Sequence, residues 1–387
     1  MEAPIYSPAP LLFALSISNG WAESGFWSSK TKAEQPATEA ASSADEPFVQ
    51  LFPNGLPTDI GGIPDGLANV TAQGCNACHF QAHDNWSTSP HAQAGQSETF
   101  RAAIERAANS TACTQCHLPL TVQHAELAAG YIDGDLSRPK LLPNEVWDAT
   151  LMAEGVGCAA CHVRDGKIVG TRAIEGAPHP VAISRELGTS AMCATCHQLS
   201  FPDSDRPFYD TYGEWKSTPY AAAGMRCQDC HMPPVAGIAS ASRFAATPNH
   251  SFEADISRAL TVMVKLDSEV IQRGQTTTAQ IRIQNTGAGH HVPTGSPYKT
   301  YTATVSLVDA NGSELTPSHS ETLSRKLETA PPYKTISDNR IPAGGEHEFK
   351  VDFQVNQNKK AGPIRLLVRI GPDGDAPILQ SIPLELL

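Results

Sequence analysis

With 387 residues the chain is long enough for two or three domains. Only 6% of it is aromatic while Gly and Pro number 29 and 30, so regular structure is expected to be sparse in at least part of it. A formal net charge of −12 leaves no basic footprint for nucleic acid and directs attention to basic or redox-active partner surfaces.

In chain order, Ala9 to Ser18 form a short apolar core, and Gly20-Trp21-Ala22 offers small residues at the two positions a signal peptidase reads. Residues 1–22 therefore read as an export signal, although no Lys or Arg precedes the apolar stretch; a disordered or anchoring tail is the alternative. No other stretch is long enough for a membrane-spanning helix. Residues 23–66 are rich in Ala, Ser, Thr, Pro and Gly, carry no hydrophobic period, and read as a flexible linker entering the next region.

From residue 67 to about 255 one pattern, Cys-x-x-Cys-His, appears five times: Cys75/Cys78/His79, Cys113/Cys116/His117, Cys158/Cys161/His162, Cys193/Cys196/His197 and Cys227/Cys230/His231. This is the attachment signature of c-type haem. Two thiols at that spacing add to the two vinyl groups of one porphyrin, and the adjacent imidazole reaches the iron. A zinc site or a disulfide framework is the plainer alternative. All ten cysteines lie inside the motifs, and His follows every second Cys, which neither alternative requires. Five covalently attached haem c groups are the expectation.

Short helical patterns lie between the motifs. Ser97 to Asn109 places Phe100, Ile104 and Ala107 at helical spacing with Ser97 as N-cap, and Asn144 to Glu154 does so with Val146, Leu151 and Met152. Both are scaffold against which a porphyrin packs. The segment Trp86 to Gly95 repeats as Trp215 to Gly224, with His91 in the first copy replaced by Tyr220 in the second. His91 is expected to ligate iron, whereas Tyr220 is expected to pack or hydrogen-bond. Residues 256–387 hold no cysteine. Period-two runs appear there at Leu260 to Leu266, Thr277 to Gln284, Tyr301 to Val308, Glu348 to Val355 and Ile364 to Ile370. Asn311-Gly312 and Ala343-Gly344-Gly345 supply turns between them. The fold expected overall is a mainly coiled multihaem domain with short α-helices around stacked haems, followed by an antiparallel, immunoglobulin-like β-sandwich.

Each iron needs a second axial ligand or an open position, and that choice separates an electron carrier from an enzyme. Nine of the fourteen histidines lie outside the motifs. His91 stands in the repeat, with His83 as its alternative. His124 follows the second motif on an amphipathic run, and His179 is bracketed by Pro178 and Pro180. His250 lies at the domain seam, and His290 or His291 occupies a Gly/Pro-rich loop that suits close approach to a haem edge. His319 and His347 sit in polar strand or turn contexts and are expected to be solvated. Met192, Met225 and Met232 are weaker candidates. Five distal positions for five irons lead to the expectation that every iron is held by two histidines.

With these residues in hand the sequence resembles secreted multihaem c-type cytochromes related to the tetrahaem electron carrier of ammonia oxidisers, several of which carry an appended β-sandwich. The motifs that carry the resemblance are Trp86-x-x-Ser89-x-His91-Ala92, the run Cys227 to Pro233 with Glu214-Trp215 upstream, and Gly289-His290-x-x-Pro293-Thr294-Gly295. It implies bis-histidine ligation, closely spaced haems and electron transfer, with His290 the ligand of its pair. Some similar cytochromes polymerise into extracellular haem wires, and others feed or form reductases. The chain lacks the Cys-x-x-Cys-Lys motif of the nitrogen-reducing enzymes in that wider group. The resulting expectation is an exported electron-transfer protein, periplasmic or at the cell surface. Its partners would be redox proteins or extracellular acceptors, or further copies of itself in a filament. A reductase of a small nitrogen or sulfur compound at one five-coordinate haem is the alternative.

Overall fold

Two kinds of sequence produce two kinds of structure. In the first half, short polar and Ala-rich stretches between Gly and Pro form helices of a few turns; in the second, alternating runs form long strands. The structure is a computed structural model that describes residues 49–106, 111–134, 138–201, 203–241, 243–330, 332–372 and 376–387. The export-signal reading of residues 1–22, the linker reading as far as residue 48, and Ala107 and Asn109 of the first helical pattern lie outside these.

The α-helices are α1 (Ala72–Ser87), α2 (Glu98–Arg106), α3 (Thr111–His117), α4 (Ala149–Ala153), α5 (Cys158–His162), α6 (Ser190–His197), α7 (Thr211–Lys216), α8 (Pro219–Ala222), α9 (Cys227–His231) and, ahead of the long strands, α10 (Ile256–Ala259). Between them run the short strands β1 (Glu126–Tyr131), β2 (Pro139–Pro143), β3 (Val163–Arg164), β4 (Lys167–Gly170), β5 (Val181–Ile183), β6 (Pro234–Ser240) and β7 (Arg243–Pro248). Ser97 does cap α2, its hydroxyl accepting from Phe100 N at 3.2 Å. The helix expected over Asn144 to Glu154 is shorter than that pattern. Asp148 accepts from Thr150 N and Leu151 N and starts α4 there, leaving Val146 outside it and exposed. A carboxylate cap four residues into the run overrides the apolar spacing before it.

The linker reading does not hold for residues 49–66. Leu51 is fully buried, and Ile60 joins Val70, Leu120, Leu151, Ala159, Ala160 and Val163 in one small apolar cluster. Thr58 N donates to Pro119 O at 2.8 Å. The segment is held by Arg164, which is almost wholly buried. The Arg164 guanidinium group donates to the carbonyls of Leu51, Ala159, Ala160 and Val163, two of them within α5 and the last just after it, and lies 4.8 Å from the centre of the Phe52 ring. One side chain thus ties the incoming chain to the third motif and adds donors to carbonyls in and just after α5.

The remaining strands are β8 (Leu260–Leu266), β9 (Val270–Ile271), β10 (Thr276–Asn285), β11 (Tyr301–Asp309), β12 (His319–Leu323), β13 (Arg325–Leu327), β14 (Thr335–Asp338), β15 (Glu346–Gln354), β16 (Gly362–Gly371) and β17 (Ile378–Leu386). They build a three-stranded sheet, β15-β10-β8, a five-stranded sheet, β12-β11-β16-β17-β9, and a separate β13-β14 pair, antiparallel except where β9 pairs with β17. All five period-two runs are strands. Along β10, Ala279, Ile281 and Ile283 face a core that β11 and β16 complete with Val305, Leu307, Leu366 and Val368. The alternate residue Arg282 pairs outward with Glu348. Gly312 and Gly344, at φ 82° and 72°, occupy left-handed positions in the two expected turns.

The halves are joined tightly within the unit from Pro47 to Leu387. Arg325 donates to Pro207 O at 2.6 Å, Arg206 pairs with Asp338 at 3.1 Å, and Ser204 donates to Pro332 O. Among the described residues no helix is long and apolar enough to cross a membrane.

Arg164→Met keeps most of the side-chain bulk but leaves four carbonyls without this donor. A loss on the order of 3 kcal/mol is expected, measured as a lower urea midpoint at unchanged haem content.

Candidate haem-binding site

Cysteines three apart lie on one face of a helical turn. The five motifs occupy α1, α3, α5, α6 and α9, and α3, α5, α6 and α9 end on the motif histidine. In α1 the histidine itself leaves helical geometry, with His79 at φ −109° and ψ 43°. No disulfide joins the ten cysteines.

Main-chain carbonyls fix the imidazoles. His79 Nδ1 lies 2.9 Å from Ala239 O in β6, and His117 Nδ1 2.7 Å from Ala94 O. His162 Nδ1 lies 2.9 Å from Val169 O in β4, and His231 Nδ1 3.0 Å from Glu253 O. Because a carbonyl only accepts, each Nδ1 must donate, which leaves Nε2 of the neutral ring as a lone-pair donor. Such a partner on the second nitrogen orients a metal-binding histidine. Burial lowers the pKa of His117, His162 and His197 and so favours the neutral ring.

Four motif histidines face a second histidine. Ring centres are 6.3 Å apart for His79 and His179, 6.2 Å for His91 and His197, 6.3 Å for His162 and His250, and 6.1 Å for His231 and His290. Two metal–imidazole bonds of about 2 Å, with roughly 1.1 Å from ring nitrogen to ring centre at each end, require about 6.2 Å. The chain therefore holds these pairs at the span of a metal ligated on both sides. His250 Nδ1 and His290 Nδ1 also meet carbonyls, Pro248 O and His291 O, each at 2.9 Å. Burial, followed by the nearby His197, His117 and His231, lowers His91 to about 4; burial, then His162, lowers His250 to about 4. Among the described residues, no group of three or more His, Cys, Asp or Glu is suited to a bare metal ion. The donor set is one of opposed pairs and fits haem.

The second motif differs. The His117 ring stacks on Phe100, with centres 3.8 Å apart and planes 4° apart, and among the described residues no histidine ring pairs with it. His124, expected as a distal ligand, instead places Nε2 2.7 Å from Leu118 O. A 3-10 turn at Thr121–Gln123 precedes it and β1 begins two residues later, so the ring is folded back on its own segment. His83 lies beside Trp86 and Asp84, opposite no motif histidine, which leaves His91 as the paired one. His319 and His347 both contact Phe349, away from these pairs.

The two repeat copies are built alike. Trp86 Nε1 donates to Val156 O at 2.9 Å and Trp215 Nε1 to Met225 O at 3.1 Å. Tyr220 donates to Thr286 O at 3.3 Å, the hydrogen-bonding role expected of it. Gly289 packs so close to Trp215 and Tyr220 that an added Cβ would meet both at 3.4 Å.

Thiol neighbours order the attachment segments. Cys75 lies beside Cys158, Cys116 beside Cys196 and Cys193 beside Cys227, while Cys161 is near both Cys193 and Cys196. The first segment thus adjoins the third, the third adjoins the fourth, and the second and fifth both adjoin the fourth. Cys78 and Cys230, in the first and fifth, are exposed.

A buried carboxylate connects this array to the strands, a role that sequence reasoning missed. Glu214 of α7 accepts from Arg340 Nη1 at 2.8 Å, Thr294 Oγ1 at 2.6 Å and His291 N at 3.2 Å, with His291 Nδ1 at 3.4 Å. Arg340 also pairs with Asp338 at 2.8 Å. Burial alone would raise the Glu214 pKa, but the His291 hydrogen bond, the Arg340 charge and the Thr294 hydrogen bond outweigh it and hold it at about 2. The signal present in the sequence was Glu214 beside Trp215 in the second repeat.

A family model described as cytochrome c554 and c-prime matches residues 74–132, covering the first two motifs. The chain is similar in fold to a penta-heme cytochrome c552 from Thermochromatium tepidum. The TM-score is 0.56 at 17% identity, over 82% of this chain and 98% of that one. With the five motifs, these likenesses define a multihaem c-type cytochrome with covalently bound haem. An alkylpurine DNA glycosylase of Pseudomonas fluorescens (TM-score 0.20, 12% identity, 33% of this chain and 30% of that one) resembles it too slightly to carry an argument. So does the CARDB domain of a Pyrococcus furiosus protein (0.21, 13%, 33% and 87%). No curated protein matches the chain.

A carboxylate held at about 2 stabilises the fold fully above its ordinary value near 4.5, and that contribution disappears as pH falls through about 2. In Glu214→Gln this acid-dependent part, on the order of 3 kcal/mol, should be missing. Urea midpoints of both proteins measured from neutral pH down through this window check it.

Proposed function

We propose that the chain is an exported pentahaem cytochrome that relays electrons between redox partners. The observation that carries this reading is the set of four opposed imidazole pairs at 6.1–6.3 Å. Haem c, when bound, supplies the one-electron iron couple. The chain supplies attachment through Cys75, Cys78, Cys113, Cys116, Cys158, Cys161, Cys193, Cys196, Cys227 and Cys230, and imidazoles on both sides that keep coordination unchanged between oxidation states. The segment order one, three, four, five forms the relay, with exposed Cys78 and Cys230 marking its two ends. The second segment branches from the fourth. Attachment of haem c outside the bacterial cytoplasm supports export, to the periplasm or cell surface. The net charge of −12 favours basic partner surfaces, with association weakening as salt rises. The two-sheet unit is read as an immunoglobulin-like sandwich that donates His290 and closes one end of the array.

One observation favours a second reading alongside the first. His117 faces no histidine among the described residues, so the second site is open to a small ligand. On this reading four sites conduct, and the fifth binds or reduces a small nitrogen or sulfur compound.

Pyridine haemochrome analysis should return five haems per chain; fewer would sink the proposal. Electron paramagnetic resonance should show four low-spin haems and one high-spin haem, the latter shifting its Soret band with cyanide. His124→Ala should leave these proportions unchanged. Five low-spin haems in the native protein, with one lost in that variant, would restore His124 as a ligand.

A further inference from the structure

A charged carboxylate is costly to bury unless each oxygen is paired, and Glu214 has only 2% of its side chain exposed. Arg340 on one oxygen already neutralises the charge. The other oxygen is committed to the loop that follows His290, receiving Thr294 Oγ1 at 2.6 Å and His291 N at 3.2 Å. The preceding side of the loop is fixed independently, since Asn285 Nδ2 donates to His290 O at 2.8 Å and Asn285 Oδ1 accepts from Ala288 N at 3.0 Å. His290 is therefore gripped on both flanks, and its Nδ1 is held by the carbonyl of His291, the residue whose amide Glu214 binds.

The result is visible in the rings. His290 and His231 lie with planes only 10° apart, whereas the other three pairs are inclined by 44°, 62° and 45°. Near-parallel axial imidazoles split the iron d orbitals most strongly and give a rhombic low-spin signal, separable from those of inclined pairs. We infer that Glu214 is a positioning residue that, through His291 and Thr294, holds His290 opposite His231 and sets the parallel alignment of the two rings. This rests on the reading of His290 as a distal ligand. It makes an α7 carboxylate in one half of the molecule responsible for a ligand carried by the other.

The test compares the holoprotein with Glu214→Ala, Thr294→Val and His290→Ala, each with its haem count measured. His290→Ala should lose the rhombic signal and gain one high-spin haem. Glu214→Ala should show the same loss, with the three inclined-pair signals and the five-haem count retained, and added imidazole should restore one low-spin haem in both. Thr294→Val, which keeps the Arg340 ion pair, should broaden or shift the rhombic signal alone. Loss of that signal in His290→Ala, with Glu214→Ala and Thr294→Val both unchanged, overturns the positioning role. Its persistence in His290→Ala overturns instead the reading of His290 as a ligand. Loss of several low-spin signals in Glu214→Ala also overturns the inference, because the effect is then not local. If Glu214→Ala does not mature with five haems, Thr294→Val decides: an altered rhombic signal supports the role and an unaltered one overturns it.

Discussion

The hydrogen bond from a histidine Nδ1 to a main-chain carbonyl is the constraint on which this structure depends. It decides which ring nitrogen is left to bind metal and points that nitrogen across a gap of fixed width. The carbonyls are supplied by elements with little core of their own, such as β6 behind His79 and β4 behind His162. These small strands would be hard to explain as folding units, since two- and three-stranded sheets of this size are marginal alone. Their geometry is explained by what their carbonyls hold.

The opposed pairs also decide how the chain is wound. Each joins residues far apart in sequence, His79 to His179, His91 to His197, His162 to His250 and His231 to His290, so the four spans overlap. No motif segment can be completed by its own neighbourhood. The apolar cluster of the first half has seven buried residues against twenty-one in the strand-rich half, too few to organise a region of that length by themselves. Covalent macrocycles between the paired imidazoles would supply the missing apolar surface, and the strand-rich half contributes both its own core and the histidine of the last pair. Burial of Glu214 and Arg340 at the seam follows from the same need, because a loop that delivers a ligand has to be immobilised from both sides.

Legibility in the sequence followed the physics of each feature. The Cys-x-x-Cys-His spacing is a local demand of one porphyrin on one helical turn, so all five motifs could be read directly. Alternation in β10 and β16 was equally plain, since one face of each meets a shared core. His179 and His290, whose rings the structure places opposite motif histidines, stood out because rigid Pro- or Gly-rich surroundings imply a backbone held for a purpose. His124 carried the same residue type on an apparently suitable run, yet the turn at Thr121–Gln123 directs its Nε2 to Leu118 O. That turn is set by Gln123, whose amide reaches Leu120 N, Leu151 O and Gly155 O, contacts that no local pattern announces. The packing of residues 49–66 was hidden for a related reason. Leu51 and Ile60 are isolated apolar residues without a period, and their burial depends on Arg164 more than a hundred positions away.

The position of α6 gives the arrangement its asymmetry. Thiols of α3 and α9 both lie beside those of α6, whereas Cys75 of α1 lies beside Cys158 of α5. On the proposed reading, electrons moving between the exposed ends at Cys78 and Cys230 pass the fourth site without needing the second. The second is also the site where the chain provides an aromatic neighbour, Phe100, and no opposed imidazole among the described residues. A site placed off the through route can exchange ligands without interrupting that route, whereas an open position at the first, third, fourth or fifth site would change coordination within the relay itself. On the proposed reading, conduction and ligand chemistry do not compete in this topology, and the absence of an opposed histidine at His117 among the described residues is compatible with a chain that pairs imidazoles at the other four motifs.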